Sequence, residues 1–259
     1  MPPLRLVLAG VALIAYFLYF ATLAFEAGFT HDDLMNLHRA VVEPRARIAA
    51  ECLLFFLPSD QYRPVGAAFY RLVNDAFGLH PLPFHAAIVA LLAAGLALFY
   101  AFVRRLSGSR ELAALATLLS AHHANRTFFF INVGLCYDVL CFLFYFATLV
   151  YYLRIRQRGH RPASWQHVRL ALLLIAALGS KEMAVSLPLV LVAYEWLAHE
   201  KNDRSWSFPA FATLAVAAFI YGRVLGADNI GAIDSYRPNL SPAVYADSAR
   251  HWLHELFFR

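Results

Sequence analysis

Long apolar runs alternate with short polar connections along this chain. The first run, residues 6–25, contains twenty residues without a charged side chain. A helix needs about 20 apolar residues to cross the hydrocarbon core, so this run predicts an uncleaved membrane-spanning helix. A cleaved signal peptide is the alternative. Six further runs lie at about 84–103, 112–121, 136–153, 170–180, 183–198 and 208–225. The pattern predicts an all-α, polytopic membrane protein with about seven transmembrane helices.

The connections between the runs predict the orientation. Those at 104–110, 154–169 and 198–204 are short and basic, so the positive-inside rule places them in the cytoplasm with the N-terminus. The segments between them must then be hairpins whose turns, at His122–Arg126 and Gly179–Met183, face outside. Because the helices that feed these turns are short, we expect the turns to lie below the outer membrane surface and to line a watery cleft.

The same count of crossings places residues 26–83 in a large first external loop. Apolar residues repeat at helical spacing over 65–77, which predicts an amphipathic helix on the outer surface. A second such helix is predicted over 45–57, where Arg47 and Glu51 stand at positions i and i+4.

Composition and charge support a membrane protein and exclude other classes. Hydrophobic residues make up 61% of the 259 residues, charged residues make up 15%, and the mean hydropathy is +0.55. This is far more apolar than an ordinary soluble domain. The net charge of +5 is spread along the edges of apolar runs, which indicates topology and not nucleic-acid binding. The three cysteines show no metal or disulfide spacing and are expected to pack as small apolar residues.

Two adjacent carboxylates, Asp32 and Asp33, follow the first apolar run at the predicted outer interface. Neighbouring side chains on a helix diverge by about 100°, so we expect one carboxylate to act and the other to support it. Such a carboxylate could deprotonate an acceptor hydroxyl, or hold a divalent cation such as Mg²⁺ or Mn²⁺. The alternative is that the pair only caps and solvates a helix.

Cations near the outer ends of the runs could neutralise the phosphate of a lipid-borne sugar whose tail stays in the bilayer. The candidates are Arg63, Lys181 and Arg126. Ordinary helix capping around Pro64 is the alternative for Arg63, and a mutual ion pair with Glu182 is the alternative for Lys181.

Further polar residues open to the same side. His123, Asp138 and Glu182 are predicted to support the site. His85 and Arg223, at the ends of apolar runs, are expected to be interfacial anchors.

The order of these features resembles the GT-C glycosyltransferases. This superfamily includes protein O-mannosyltransferases and bacterial membrane glycosyltransferases related to those fused to tetratricopeptide repeats. The matching segments span nearly the whole chain and are His31-Asp32-Asp33, Tyr62-Arg63-Pro64, Leu79 to His85, Tyr137 to Leu140, and Lys181 to Pro188.

The resemblance implies a glycosyltransferase that uses a polyprenyl-phosphate sugar donor and inverts the anomeric carbon. Its catalytic aspartate would lie in the first external loop, as Asp32 or Asp33, with Arg63 and Lys181 on the donor phosphate and Tyr137 among the supporting residues. The implied location is the bacterial inner membrane. The chain would form one module over 1–259 with an external C-terminal segment, either as the N-terminal portion of a longer transferase or as a truncated, inactive protein.

Two alternatives belong to other classes. A secondary transporter could use Lys181, Glu182 and Asp138 to relay ions, although no inverted repeat is visible in the sequence. A degenerate partner protein could bind only a polyprenyl lipid or another membrane subunit. The large external loop favours the transferase, because an interfacial enzyme has a use for it and a transporter does not require it.

Overall fold

A computed structural model of the chain describes residues 4–54, 63–121, 128–225 and 241–258. Every regular element in these ranges is helical, as the sequence predicts. The α-helices are α1 (Leu4–Glu26), α2 (His31–Val42), α3 (Arg45–Leu53), α4 (Pro64–Phe77), α5 (Pro81–Ser107), α6 (Arg110–Ala121), α7 (Phe128–Ile131), α8 (Cys136–Arg156), α9 (Ser164–Ser180), α10 (Leu187–Ala198), α11 (Ser207–Leu225) and α12 (Pro242–Phe258). Short 3₁₀ helices precede α8 (Val133–Leu135) and α10 (Glu182–Ser186).

Three segments in the described ranges are long and apolar enough to cross a membrane. They are Val7–Glu26, Pro81–Ser107 and Val133–Arg156. The other predicted runs also form helices, but α6 and α10 have 12 residues each. A 12-residue helix is about 18 Å long, well short of a core about 30 Å thick. The structure therefore has the apolar helices of a membrane protein, with three candidate full-length spans in the described ranges where the sequence predicts seven.

Residues 26–83, predicted to form an external loop, contain both helices that the sequence predicts there. The prediction over 65–77 is confirmed by α4, which has Pro64 in its first turn and ends at Gly78. Gly78 has φ +66°, a left-handed conformation that favours glycine. The second predicted helix is α3, in which Arg47 Nε lies 3.2 Å from Glu51 Oε1. Its last predicted residues, 55–57, lie outside the described ranges.

The buried side chains form two apolar clusters, and α8 contributes to both. The first cluster lies among α1, α2, α4, α5 and the start of α8, around Tyr70 and Phe84. The second lies among α8, α9, α10 and α11, around Tyr152 and Phe208. Helix α5 approaches α8 closely at Gly95, where an added Cβ would lie 2.6 Å from a ring atom of Phe142. Helix α8 thus forms the axis on which the two clusters are built.

A buried ion pair joins the end of α8 to α10. Arg156 Nε and Glu195 Oε1 are 2.7 Å apart, and both side chains are at most 3% exposed. Tyr152 Oη and Ser205 N also donate to the Glu195 carboxylate, at 2.8 and 2.7 Å. Arg156 Nη1 donates to the carbonyl of His160 at 2.9 Å. The pair therefore fixes helices α8 and α10 and also the connections that follow each of them.

Candidate functional site

The predicted site residues that the structure describes meet at the end of the bundle opposite this buried ion pair. Here α2, α4, the start of α8, the turn after α9 and the end of α11 come together. Helix α9 ends at Ser180, and Lys181 is extended, with φ −158° and ψ 150°. The 3₁₀ helix that starts at Glu182 then leads into α10. This change of backbone direction sends the side chains of Lys181 and Glu182 to different partners.

The two aspartates of α2 have different surroundings. Asp33 is fully buried, and its Oδ2 accepts the backbone N–H of Thr30 at 2.7 Å in a capping box. Its Oδ1 accepts the backbone N–H of Gly134. Asp32 is exposed. The expected divergence of the pair is confirmed: Asp33 ties the first turn of α2 to the segment before α8, and Asp32 is open to solvent.

Gly134 makes this connection possible. An added Cβ would lie 2.8 Å from Asn132 Oδ1 and 3.4 Å from Asp33 Oδ1. The Asn132 side chain accepts the same Gly134 N–H at 2.8 Å, so one amide serves two oxygens. Sequence reasoning missed this role, although Asn-Val-Gly before a helix has the residue types of a turn.

Tyr137, in the first turn of α8, links α2 and α4. Its hydroxyl donates to Asn36 Oδ1 at 3.0 Å, and Asn36 Nδ2 donates to the carbonyl of Asp32 at 2.9 Å. The guanidinium of Arg63 lies 5.3 Å from the centre of the Tyr137 ring, within range of a cation–π contact. Gly66 lies against the same ring, where an added Cβ would come within 2.1 Å of a ring carbon. Tyr137 is therefore the centre of the site, and Asn36 is a residue that sequence reasoning missed.

Glu182 binds two arginines. Its Oε2 lies 3.2 Å from Arg63 Nη2, and its Oε1 pairs with Arg223 Nη2. Burial raises the pKa of the Glu182 carboxyl, but a backbone hydrogen bond and the charges of Arg63 and Arg223 outweigh it and leave the pKa below its ordinary 4.5. Glu182 therefore brings the guanidiniums of Arg63 and Arg223 together. The expectation that Arg223 is only an interfacial anchor is wrong, since it belongs to this cluster.

The second ion pair of the site joins Lys181 to Asp138. Lys181 Nζ lies 2.5 Å from Asp138 Oδ1, and the two side chains are 26% and 19% exposed. Asp138 stands in the first turn of α8, where the helix dipole also favours a carboxylate. The alternative of a mutual Lys181–Glu182 ion pair is not what the structure contains, because each residue has a partner on another element.

His85 holds the same region together from inside. The ring is fully buried. Its Nδ1 lies 3.2 Å from the carbonyl oxygen of Phe130, and its Nε2 lies 3.4 Å from that of Gly28. The expectation of an interfacial anchor is therefore wrong: His85 connects α5 to the end of the first span and to α7.

Two predicted site residues, His123 and Arg126, lie outside the described residues. Within the described ranges, no group of three or more His, Cys, Asp or Glu side chains could hold a metal ion. Amides or cations engage the carboxylates of Asp33, Asp138 and Glu182, and we derive no step through a metal.

Comparisons of this chain with protein-family models, with curated proteins and with solved structures find no match.

Proposed function

We propose that this chain is the membrane module of a glycosyltransferase that transfers a sugar from a polyprenyl-phosphate donor to an acceptor hydroxyl. One observation carries the proposal. A continuous series of contacts runs from the Asp32 carbonyl through Asn36 and Tyr137 to Arg63, and from there to Glu182 and Arg223. It connects Asp32, whose exposed carboxylate suits a base, to the guanidiniums of Arg63 and Arg223, which suit a phosphate.

Asp32 is the proposed base. Its exposed carboxylate takes the proton of the acceptor hydroxyl as the oxygen attacks the anomeric carbon. The bond from that carbon to the phosphate oxygen breaks, and its electron pair stays on the phosphate. Because the oxygen attacks the face opposite the phosphate, the configuration inverts. Asp33, with both oxygens occupied by backbone N–H groups, is a positioning residue that fixes the first turn of α2.

Arg63 is the proposed phosphate ligand. It is the most exposed cation of the described site, at 43%, and its planar guanidinium suits bidentate binding of phosphate oxygens. Together with Arg223, which shares the Glu182 carboxylate, it stabilises the negative charge that develops on the leaving group. Lys181 is already compensated by Asp138, so it binds phosphate only if it exchanges that partner.

The proposed topology has seven crossings, with the N-terminus in the cytoplasm and the site on the outer side of a bacterial inner membrane. The short helices α6 and α10 support this arrangement, because helices that end within the bilayer need a protein-lined cleft for their free backbone groups. The basic connections at 104–110 and 154–169 support it as well.

An apolar groove supports a donor with a long hydrocarbon tail. It lies among α1, α5 and α6, has a volume of about 550 Å³, and is lined by residues such as Leu13, Phe17, Leu96 and Ala114. Its lining on α1 ends at Leu18, eight residues before the end of the helix at Glu26, or about 12 Å along the axis. A lipid tail of modest length would bridge the groove and the site.

A transfer assay with a matched pair of arginine variants tests the proposal. Membranes that contain wild type, Arg63→Gln or Arg45→Gln are incubated with labelled polyprenyl-phosphate sugars. Arg45 lies in the same loop and is paired with Asp75 on the surface. We expect Arg63→Gln to lower the rate about tenfold or more, the usual effect of losing a charged hydrogen bond, and Arg45→Gln to match wild type. Wild-type transfer no higher than in membranes without the protein would overturn the proposal.

A further inference from the structure

A second charged cavity lies at the end of the bundle opposite the proposed active site. It has a volume of about 250 Å³ and lies between the end of α8 and the start of α9. Its lining includes Tyr151, Arg154, Arg158, His160, Trp165 and Arg169. Three guanidiniums therefore surround one small cavity, and none of the described residues that line it is acidic.

The cations of this cavity are not consumed by ion pairs. The described residues provide no carboxylate partner for Arg154, Arg158 or Arg169. Arg169 instead stacks over Trp165, with its guanidinium carbon 4.6 Å from the ring centre. Stacking leaves the edge of a guanidinium, with its N–H donors, available for an anion. By contrast, neighbouring Arg156 is fully used by Glu195 and by two backbone carbonyls.

The backbone around the cavity is held in place by the molecule itself. Arg156 donates to the carbonyl of His160, and the Gln157 side chain both donates to and accepts from Arg105 at the end of α5. Gly159, in the turn between Gln157 and His160, has a left-handed φ of +74°. The loop that carries Arg158 and His160 is thus attached to α5 and α10, so an anion would meet a preformed site.

The depth of the cavity indicates what kind of anion it would meet. The cavity lies at the end of the candidate span Val133–Arg156, where lipid headgroups are expected. Tyr151 and Trp165 line the same cavity, and both residue types are enriched at membrane interfaces. The cavity, at about 250 Å³, is smaller than the roughly 300–1,000 Å³ of pockets for drug-sized ligands. Its size suits a single headgroup phosphate.

We infer that this cavity binds the phosphate headgroup of an anionic phospholipid in the adjacent leaflet. Basic pockets between helices at the cytoplasmic side of membrane proteins are suited to such headgroups. Binding would connect α8 and α9 to the leaflet and hold this end of the bundle at a fixed depth. The inference does not depend on the proposed glycosyl transfer.

Lipid titration of the full chain tests the inference. The protein, purified in a nonionic detergent, is titrated with dioleoyl-phosphatidylglycerol, with dioleoyl-phosphatidylcholine and with inorganic phosphate, and its thermal unfolding midpoint is followed. We expect phosphatidylglycerol alone to raise the midpoint of wild type. In Arg158→Gln/Arg169→Gln the apparent affinity should fall on the order of tenfold or more, given the usual contribution of two surface cations.

The matched control is Arg104→Gln/Arg110→Gln, which removes two exposed arginines from the same end of the bundle but outside the cavity. It should retain the response of wild type. Equal losses in the two double variants would overturn the site, and equal responses of wild type to the two lipids would overturn the ligand. A response to inorganic phosphate that matches the response to phosphatidylglycerol would show an anion site without lipid recognition and would also overturn the inference. Each variant is first checked for unchanged helicity and monodispersity.

Discussion

Two positions of the site require glycine, because neighbouring atoms lie too close to the backbone to leave room for a side chain. Gly134 gives its N–H to both Asp33 and Asn132, and Gly66 lies directly against Tyr137. At both positions a side chain of any size would displace a neighbour that other contacts hold. The proposed active site therefore depends on glycines as much as on charged groups.

Gly134→Ala should destabilise the protein by about 1–3 kcal/mol, as overpacking of a tight contact does. The new methyl group would push against Asn132 Oδ1, at 2.8 Å. Thermal unfolding in detergent measures the change. Gly28→Ala is the control, since a Cβ there has nothing within 4 Å. An unfolding midpoint of Gly134→Ala equal to that of Gly28→Ala would contradict the geometry.

The Glu182 carboxylate should make stability depend on pH on the acid side. Its pKa in the folded protein lies below the ordinary 4.5. The stabilisation is therefore fully present above that value and is lost as pH falls through the folded pKa. Unfolding midpoints of wild type and Glu182→Gln, measured from neutral pH down to about pH 3, test this. The difference between the two should shrink towards the acid end, and a difference that grows as pH falls would contradict the assignment.

At the scale of elements, the two ends of α8 have ion pairs of opposite character. The Arg63–Glu182 pair is 43% and 34% exposed, whereas the Arg156–Glu195 pair is 3% and 0% exposed. An exposed pair contributes little to stability and is free to bind another ligand. A buried pair with all its hydrogen bonds satisfied is structural, because neither partner can be lost without leaving a buried charge.

Glu195→Ala should therefore destabilise the protein by about 3–5 kcal/mol, because Arg156 would be left buried and unpaired. The double variant Arg156→Met/Glu195→Leu removes both charges and should lose less. Denaturant titration of both variants in detergent provides the comparison. If the double variant were the less stable of the two, the pair would be stabilising beyond the cost of burying it.

The elements were predictable from sequence, but their meeting points were not. Helix α1 follows from an uninterrupted apolar run, and helix α4 follows from apolar residues at helical spacing. Both patterns involve only residues that are close in the sequence. The contact of Asp33 with Gly134 joins residues 101 positions apart, and that of Arg63 with Glu182 joins residues 119 positions apart. Such pairings depend on how helices pack, which no local pattern encodes. Arg223 is an example. Its place near the end of an apolar run predicts an interfacial anchor, whereas its pairing with Glu182 follows only from the packing of the helices.

At the scale of the whole molecule, charge is divided between two ends of one apolar bundle. One end has the mixed acidic and basic cluster around Tyr137, and the other has the arginine-lined cavity after α8. In the proposed topology, the arginine-rich end lies in the cytoplasm, in accord with the positive-inside rule, and the proposed active site faces outward.

Cysteine labelling tests this orientation. In a Cys52→Ser background, Leu79→Cys and Lys201→Cys each add one thiol at an exposed position. A membrane-impermeant maleimide should label Leu79→Cys in intact cells and Lys201→Cys only after permeabilisation. The reverse pattern would contradict the topology.

One rate comparison tests most directly whether the proposed active site transfers sugar with Asp32 as the base. The initial rate of transfer from a labelled polyprenyl-phosphate sugar is measured for wild type, Asp32→Asn and Asp75→Asn at equal protein levels in the membrane. Asp32→Asn should lower the rate by about 100-fold or more, as loss of a general base does. Asp75→Asn, the same change in a surface ion pair of the same loop, should leave the rate unchanged. Equal rates for wild type and Asp32→Asn would contradict the claim.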